Sequence, residues 1–218
     1  MTAKDIAVSF GDRVIFEHLS LTVLGGECIA LLGPNGNGKT TLLDVLAGVR
    51  EPAGRIDRGT DVVAGYPRQG QLRSTAEPNW TVLNAMRMVA GGEEAAMRAI
   101  LDQFLFTGHE VMKQVRALSY GERVRLELAR LVGGGANVLL LDEPTNHLGL
   151  PAVEHLQAAL EAYRGPLVIS PHDRAFLKGI GVSTVWLMGD CELRTIAGDD
   201  PLEQAWSSIA STQMASGR

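Results

Sequence analysis

The chain has 218 residues and a mass of 23.3 kDa, with 45% apolar and 21% charged residues. That balance excludes a disordered, collagen-like or coiled-coil chain, and the length fits one large domain or two small ones. A net charge of −5 argues against a chain whose main work is to coat phosphate backbones, while leaving room for a local basic face.

Roughly 70% of the unfolded surface can be buried at this size without a disulfide or zinc staple, and with aromatics at only 5% the core is mainly aliphatic. No apolar run approaches the roughly 18 residues of a membrane helix, so no direct membrane insertion is expected. The start, MTAKDIAVSFGDR, lacks the basic and apolar regions of a signal peptide. Cys28 and Cys191 match no metal spacing and read as reduced packing residues in a cytoplasmic chain.

Along the chain, Ile6, Val8 and Phe10, then Val14, Phe16, Leu19, Leu21 and Val23, alternate on either side of a Gly11-Asp12 turn, which predicts short antiparallel strands. Cys28 to Leu32 is a continuous apolar run, the pattern of a strand buried on both faces. A glycine-rich loop follows, then Leu42, Leu43 and Leu46 at helical spacing, ending at Gly48, a natural residue for a helix stop. Val62 and Val63 begin a further expected strand that ends near Tyr66-Pro67. From about 72 to 132 strand signals fade. Helices are expected over Thr81–Ala90, Glu93–Leu105 and Tyr120–Val132, forming a helical insert. Alternation then returns, with strand Val138–Leu141, helix Pro151–Tyr163, strand Leu167–Ser170, a short helix capped by Asp173, and a hairpin at Gly189-Asp190. Pro151 suits a first helical turn, Asp173 suits an N-cap, and Leu156, Ala159 and Leu160 read as core. The alternation of strands with helices predicts an α/β fold with a mostly parallel sheet.

Gly33-Pro34-Asn35-Gly36-Asn37-Gly38-Lys39-Thr40 satisfies G-x-x-x-x-G-K-[ST] between an expected strand and helix. Its glycines let backbone N–H groups converge on one anion, and the helix that follows points its positive end at the same place. Lys39 adds a mobile charge for β- and γ-phosphates, and Thr40 offers a hydroxyl to Mg²⁺. The acidic counterpart is Val138-Leu139-Leu140-Leu141-Asp142-Glu143. This apolar strand ends in two carboxylates, of which Asp142 suits Mg²⁺ and Glu143 the polarisation of an attacking water.

With these motifs the chain resembles the nucleotide-binding domain of the ATP-binding cassette (ABC) superfamily over nearly its whole length. The resemblance implies a single ABC ATPase domain over residues 1–218, with an antiparallel N-terminal β-subdomain, a helical subdomain at about 72–132, and ATP and Mg²⁺ as cofactors. Leu118-Ser119-Tyr120-Gly121-Glu122 resembles the ABC signature, which in the family reaches across a dimer interface to the γ-phosphate on the partner. Ser119, Gly121 and Glu122 thereby join the phosphate loop through Thr41 as nucleotide-binding positions, and Tyr120 stands where the family usually has glycine. Read for itself, the same segment is a helix start with Ser119 as N-cap. Gln69 matches the Q-loop glutamine, which senses metal and water, and His172 matches the switch histidine. Phe10 is either the aromatic that stacks on adenine or a core residue.

Glu143-Pro144-Thr145-Asn146-His147-Leu148, Phe104-Leu105-Phe106-Thr107-Gly108 and His172-Asp173-Arg174-Ala175-Phe176-Leu177 resemble the ABC-F subfamily, and the chain is most similar to a second cassette of that type. Gly149 stands where the D-loop commonly has Asp. The implied function is ATP hydrolysis by a dimer of cassettes, a homodimer or a pairing with another chain, in a ribosome-associated translation or antibiotic-resistance factor. The alternatives are the ATP-binding subunit of a membrane transporter, with a permease as partner, and a nucleotide-binding regulatory module with little turnover. Arg116, Arg123, Arg125 and Arg130 around the signature helix suit a ribosomal contact. Interleaved with Glu122 and Glu127, they read more simply as a solvated, salt-bridged face.

Overall fold

A computed structural model of the chain describes residues 1–67, 76–146, 148–171 and 173–216, apart from the side chains of 210–216. Strands β1 (Thr2–Phe10) and β2 (Arg13–Thr22) form the expected antiparallel hairpin, and β4 (Ala53–Asp57) pairs antiparallel with the other edge of β1. A second sheet has six strands. With β3 at Cys28–Leu32, β5 at Ala64–Gly65, β6 at Val138–Asp142, β7 at Leu167–Ser170, β8 at Thr184–Gly189 and β9 at Glu192–Ala197, its order is β5-β6-β7-β3-β8-β9. All its pairings are parallel except that of β8 with β9.

The apolar runs in β3, β6 and β7 are continuous because both faces of the large sheet are covered. Ala30, Leu139, Leu141, Leu167 and Ile169 face one core, while Ile29, Leu31, Val138, Leu140 and Val168 face the other. The second core is closed by helix α1 (Lys39–Leu46) and the three-stranded sheet. The first is closed by the helices. Of these, α2 (Val82–Arg87), α3 (Glu94–Gln103) and α4 (Tyr120–Gly133) form the helical layer, followed by α5 (Leu150–Ala162), α6 (Arg174–Lys178) and α7 (Pro201–Ser216). Leu156, Ala159 and Leu160 are buried as expected. Burial pushes the Cys28 thiol up to about 12, so it stays protonated and packs as a small hydrophobe. No described helix is long and apolar enough to cross a membrane.

Three elements differ from the sequence expectation. The strand expected from Val62 is only Ala64–Gly65. The Asn137 side chain accepts from the Val63 N–H at 2.9 Å and donates to the Asp61 carbonyl at 2.6 Å, taking the place of a longer ladder at this sheet edge. Strand β4 was not legible because Ala-Gly-Arg-Ile-Asp has one large apolar residue, Ile56, and an edge strand need not alternate. Helix α7 was not read from the sequence either, although Gly198 and Pro201 punctuate its start, since its Ser-, Gln- and Ala-rich run carries only a weak apolar stripe.

Of the four arginines around α4, Arg116 is exposed and donates to the Gln114 side chain, whereas the other three are partly or fully buried and do not form a solvated face. Arg125 is 5% exposed and its Nη1 donates to the carbonyls of Phe104 at 3.1 Å and Leu105 at 3.2 Å, serving the unpaired C-terminal carbonyls of α3. Arg123 donates to the Leu118 and Arg116 carbonyls, and Arg130 to the Ala85 carbonyl and Glu127. These guanidinium groups staple backbone to backbone within the helical layer, where sequence offered only a count of charges. Replacing Arg125 by Met keeps the apolar stem but strands two acceptors. The expected cost is about 2–3 kcal/mol, read as a lower urea midpoint with an unchanged slope.

Candidate functional site

The ends of three parallel strands converge at one edge of the large sheet. Strand β3 runs into the loop 33–38 and α1, β6 into Asp142 and Glu143, and β7, lying between them, into Ser170 and Pro171. The loop's glycines are required by close approach as well as by dihedral angle. Gly33 has φ +147°, and a Cβ there would sit 2.2 Å from the Met188 carbonyl oxygen; Gly38 has φ +89°, and a Cβ there would sit 2.4 Å from Ile15 Cγ2. Gly38 opens α1 with no side-chain cap, whereas Thr81, Ser119 and Asp173 cap α2, α4 and α6. The first N–H groups of α1 are therefore left for an anion at the positive end of the helix. Lys39 is 8% exposed, and its Nζ donates to the carbonyls of Gly33 at 2.8 Å and Pro34 at 3.0 Å. Burial lowers its pKa, opposed by Glu143 and Asp142.

Thr40 Oγ1 donates to Asp142 Oδ2 at 2.6 Å, joining the start of α1 to the end of β6 across β7. Asp142 is 5% exposed. Burial raises its pKa, the Thr40 bond lowers it, and the neighbouring Glu143 raises it again. Glu143 takes a left-handed backbone, φ +49°, costly for a non-glycine residue. The turn is held by its N–H donating to the Ser170 carbonyl at 2.8 Å and by Asn146 Nδ2 donating to its carboxylate. A hydroxyl and a carboxylate at one point are hard oxygen donors that suit Mg²⁺. Among the described residues no group of three His, Cys, Asp or Glu could hold a metal alone. A cation here would take few protein oxygens and complete its shell from phosphate and water, the usual habit of Mg²⁺.

A cleft of about 580 Å³ runs from Phe10 past Asn35, Gly36 and Gly38 to Lys39, Thr40, Thr41 and Glu143. Phe10 is 47% exposed, which removes the core alternative for it. Two cleft residues, Arg13 and Ile15, escaped the sequence reading. Arg13 pairs with Phe10 across the hairpin and donates to the Gly36 carbonyl at 3.3 Å. The two-residue turn Gly11-Asp12 was the signal that put it beside Phe10.

The signature residues do not line this cleft. Ser119 caps α4: its Oγ accepts the Glu122 N–H at 3.2 Å and its own N–H donates to Glu122 Oε2 at 2.7 Å, while Glu122 Oε1 accepts from Lys113 at 3.1 Å. The Ser119 hydroxyl hydrogen still has a donor role available. Gly121 is buried where α4 touches α5, a Cβ there lying 2.5 Å from that of Ala152. Gly149 opens α5 without a side-chain cap. Gln69, His147 and His172 lie outside the described residues.

The family model described as ABC transporter matches residues 16–146. "Probable ATP-binding protein YheS" of Escherichia coli (strain K12) is 35% identical over 211 residues, which are 96% of this chain and 33% of that protein. The chain thus spans about a third of the length of the curated relatives it matches. Among solved structures, the ADP conformation of MJ1267, an ATP-binding cassette of an ABC transporter, superposes with a TM-score of 0.75 at 18% identity, covering 100% of both chains. The dimeric post-hydrolysis state of the ATP-binding cassette MJ0796 bound to ADP and Pi gives 0.65 at 20% identity, covering 90% of this chain and 97% of that one. Both carry the same fold.

Burial holds the Asp142 carboxyl above its ordinary 3.8, so between the two values the folded chain binds more protons than the unfolded one. Stability falls as pH rises through that window, and the ionised carboxylate weighs on the fold at neutral pH. Asp142→Asn keeps an oxygen for the Thr40 hydroxyl and discards the buried charge. Without nucleotide or metal it is expected to unfold at higher urea than the parent at pH 7. The difference should close as pH is lowered into the carboxylate range, followed by denaturation curves at a series of pH values.

Proposed function

The chain belongs to the ABC transporter family, whose cassettes bind and hydrolyse ATP, and we propose that it is an Mg²⁺-dependent ATPase cassette, read as one domain over 1–218, whose sites are completed by a second cassette. The observation that carries this reading is the joining of the uncapped start of α1, buried Lys39 and the Thr40–Asp142 pair in one cleft with Phe10 and Glu143. In this reading residues 33–41 cradle the phosphates and Phe10 stacks on adenine. Thr40, Asp142 and Gln69 would hold Mg²⁺, which would supply charge neutralisation on the phosphates. Glu143, kept in place by Asn146 and the Ser170 carbonyl, accepts a proton from the attacking water. His172 contacts the γ-phosphate.

Ser119, Gly121 and Glu122 act in trans. Their position outside the chain's own cleft supports a site shared between two cassettes. So does the exposure of Tyr120, 38%, and Leu150, 71%, at the starts of the adjoining helices α4 and α5, since apolar groups so placed suit a partner surface. The solved dimer of MJ0796 is the model for that pairing, with a second copy of this chain or another chain as partner. The Glu143–Leu148 string and the 35% identity to YheS support an ABC-F-type cassette in the cytoplasm whose closed state acts on the ribosome.

Glu143→Gln preserves size but not the base, and turnover should fall by roughly 10²–10⁴-fold while ATP still binds. Light scattering with Mg-ATP should then find a closed dimer. A mutant that stays monomeric at every concentration would assign the second half-site to a different chain. Normal turnover in Lys39→Ala would overturn the phosphate-loop assignment. The trapped Glu143→Gln protein should co-sediment with ribosomes and inhibit translation in an extract. Recovery instead with a permease in a membrane fraction would replace the ribosome reading with that of a transporter subunit.

A further inference from the structure

The aromatic platform of the cleft has a partner of its own. The Arg50 guanidinium carbon lies 4.5 Å from the centroid of the Phe10 ring. Phe10 lines the cleft and Arg50 is not among the residues that line it. Arg50 Nε is buried with no hydrogen-bond partner among the described residues, and a place over an aromatic ring suits a planar, weakly hydrated cation. Its position is set from two directions. The β1–β4 pairing, with Ala7 opposite Ala53, brings the segment before β4 alongside the end of β1. The N–H groups of Val49 and Arg50 both donate to the Asp44 carbonyl, at 2.9 and 3.2 Å, tying the segment to α1, the helix whose other end forms the phosphate cradle.

We propose that Arg50 is the positioning residue for the base: it braces Phe10 from behind, holds the ring at a fixed distance from the phosphate loop, and draws electron density from the face offered to the purine. This rests on the reading of Phe10 as the adenine platform. A cation on one face of an aromatic ring is attracted by the negative face. The opposite face is left poorer in electrons and stacks more favourably on an electron-rich purine in the offset geometry that aromatic pairs prefer. Arg50 thereby acts on recognition of the base and leaves recognition of the phosphates alone.

The test compares Mg-ATP with Mg-tripolyphosphate, which has the phosphates and no base, by calorimetric titration of the full chain. Arg50→Met, which keeps the apolar stem, should weaken ATP binding by about 2–5-fold and leave tripolyphosphate unchanged. Tripolyphosphate binding also certifies an intact loop. Arg50→Lys should lose less than Arg50→Met. Phe10→Ala should abolish the preference for ATP over tripolyphosphate, and adding Arg50→Met to it should cost nothing further. Equal loss of both ligands in Arg50→Met, including through misfolding, would make Arg50 a structural tie through Asp44 and overturn the proposal. So would no change in either ligand, or equal losses in the Met and Lys variants. If Phe10→Ala changes the preference and Arg50→Met does not, the positioning role alone fails. If Phe10→Ala leaves the preference intact, the adenine reading itself fails and takes this inference with it.

Discussion

The hydrogen bond from Thr40 to Asp142, 2.6 Å long, crosses the intervening strand β7 and locks the first turn of α1 to the end of β6. Both groups sit at the carboxyl edge of a sheet covered on both faces, where a lone carboxylate would be costly. The hydroxyl relieves part of that cost and Lys39 another part. Because Asp142 is held there, the next residue must leave the sheet abruptly. Glu143 does so through a left-handed turn anchored on the Ser170 carbonyl. A left-handed non-glycine residue and buried charge thus meet at this edge, a pattern common where geometry serves function.

The phosphate loop is kept in shape by what lies beneath it. Gly33 sits against the Met188 carbonyl at the end of β8, and Gly38 against Ile15 of β2, so the loop rests on both sheets at once. Helix α1 then works as a short bar. Its first turn meets Asp142, and its last turn holds Val49 and Arg50 through the Asp44 carbonyl. With Arg50 over Phe10, the same eight-residue helix fixes the separation between the cradle and the aromatic platform.

The helical layer is built differently. Its elements are joined by arginine staples to carbonyls and by capping boxes at Thr107 and Ser119. Each staple serves a helix-end or loop carbonyl, the kind of acceptor that a helix itself leaves unsatisfied. The signature segment is thus presented on a braced helix start. The close contact of Gly121 with Ala152 couples it to α5, which begins a few residues after the two carboxylates.

Much of the site was legible in the sequence because its chemistry is local. A loop that must wrap an anion needs glycines at fixed offsets from a lysine, and a strand buried on both faces announces itself as an unbroken apolar run ending in carboxylates. The β1–β2 hairpin, α1, β3, β6 and β7, and the caps at Ser119 and Asp173, all follow from such short-range rules. The rest depended on contacts between residues far apart in the chain. Nothing near Arg50 reveals that it meets Phe10, because the β1–β4 register makes that contact. Charge patterning around α4 gave the wrong environment for Arg125, because burial is decided by α3 packing above it. Strand β4 and helix α7 carry little periodicity and are held by the edges they cover. The sequence by itself determined the phosphate loop, the carboxylates and the parallel core, while the tertiary structure decided which long side chains brace them, since a side chain's partner across the fold leaves no mark on its neighbours in the chain.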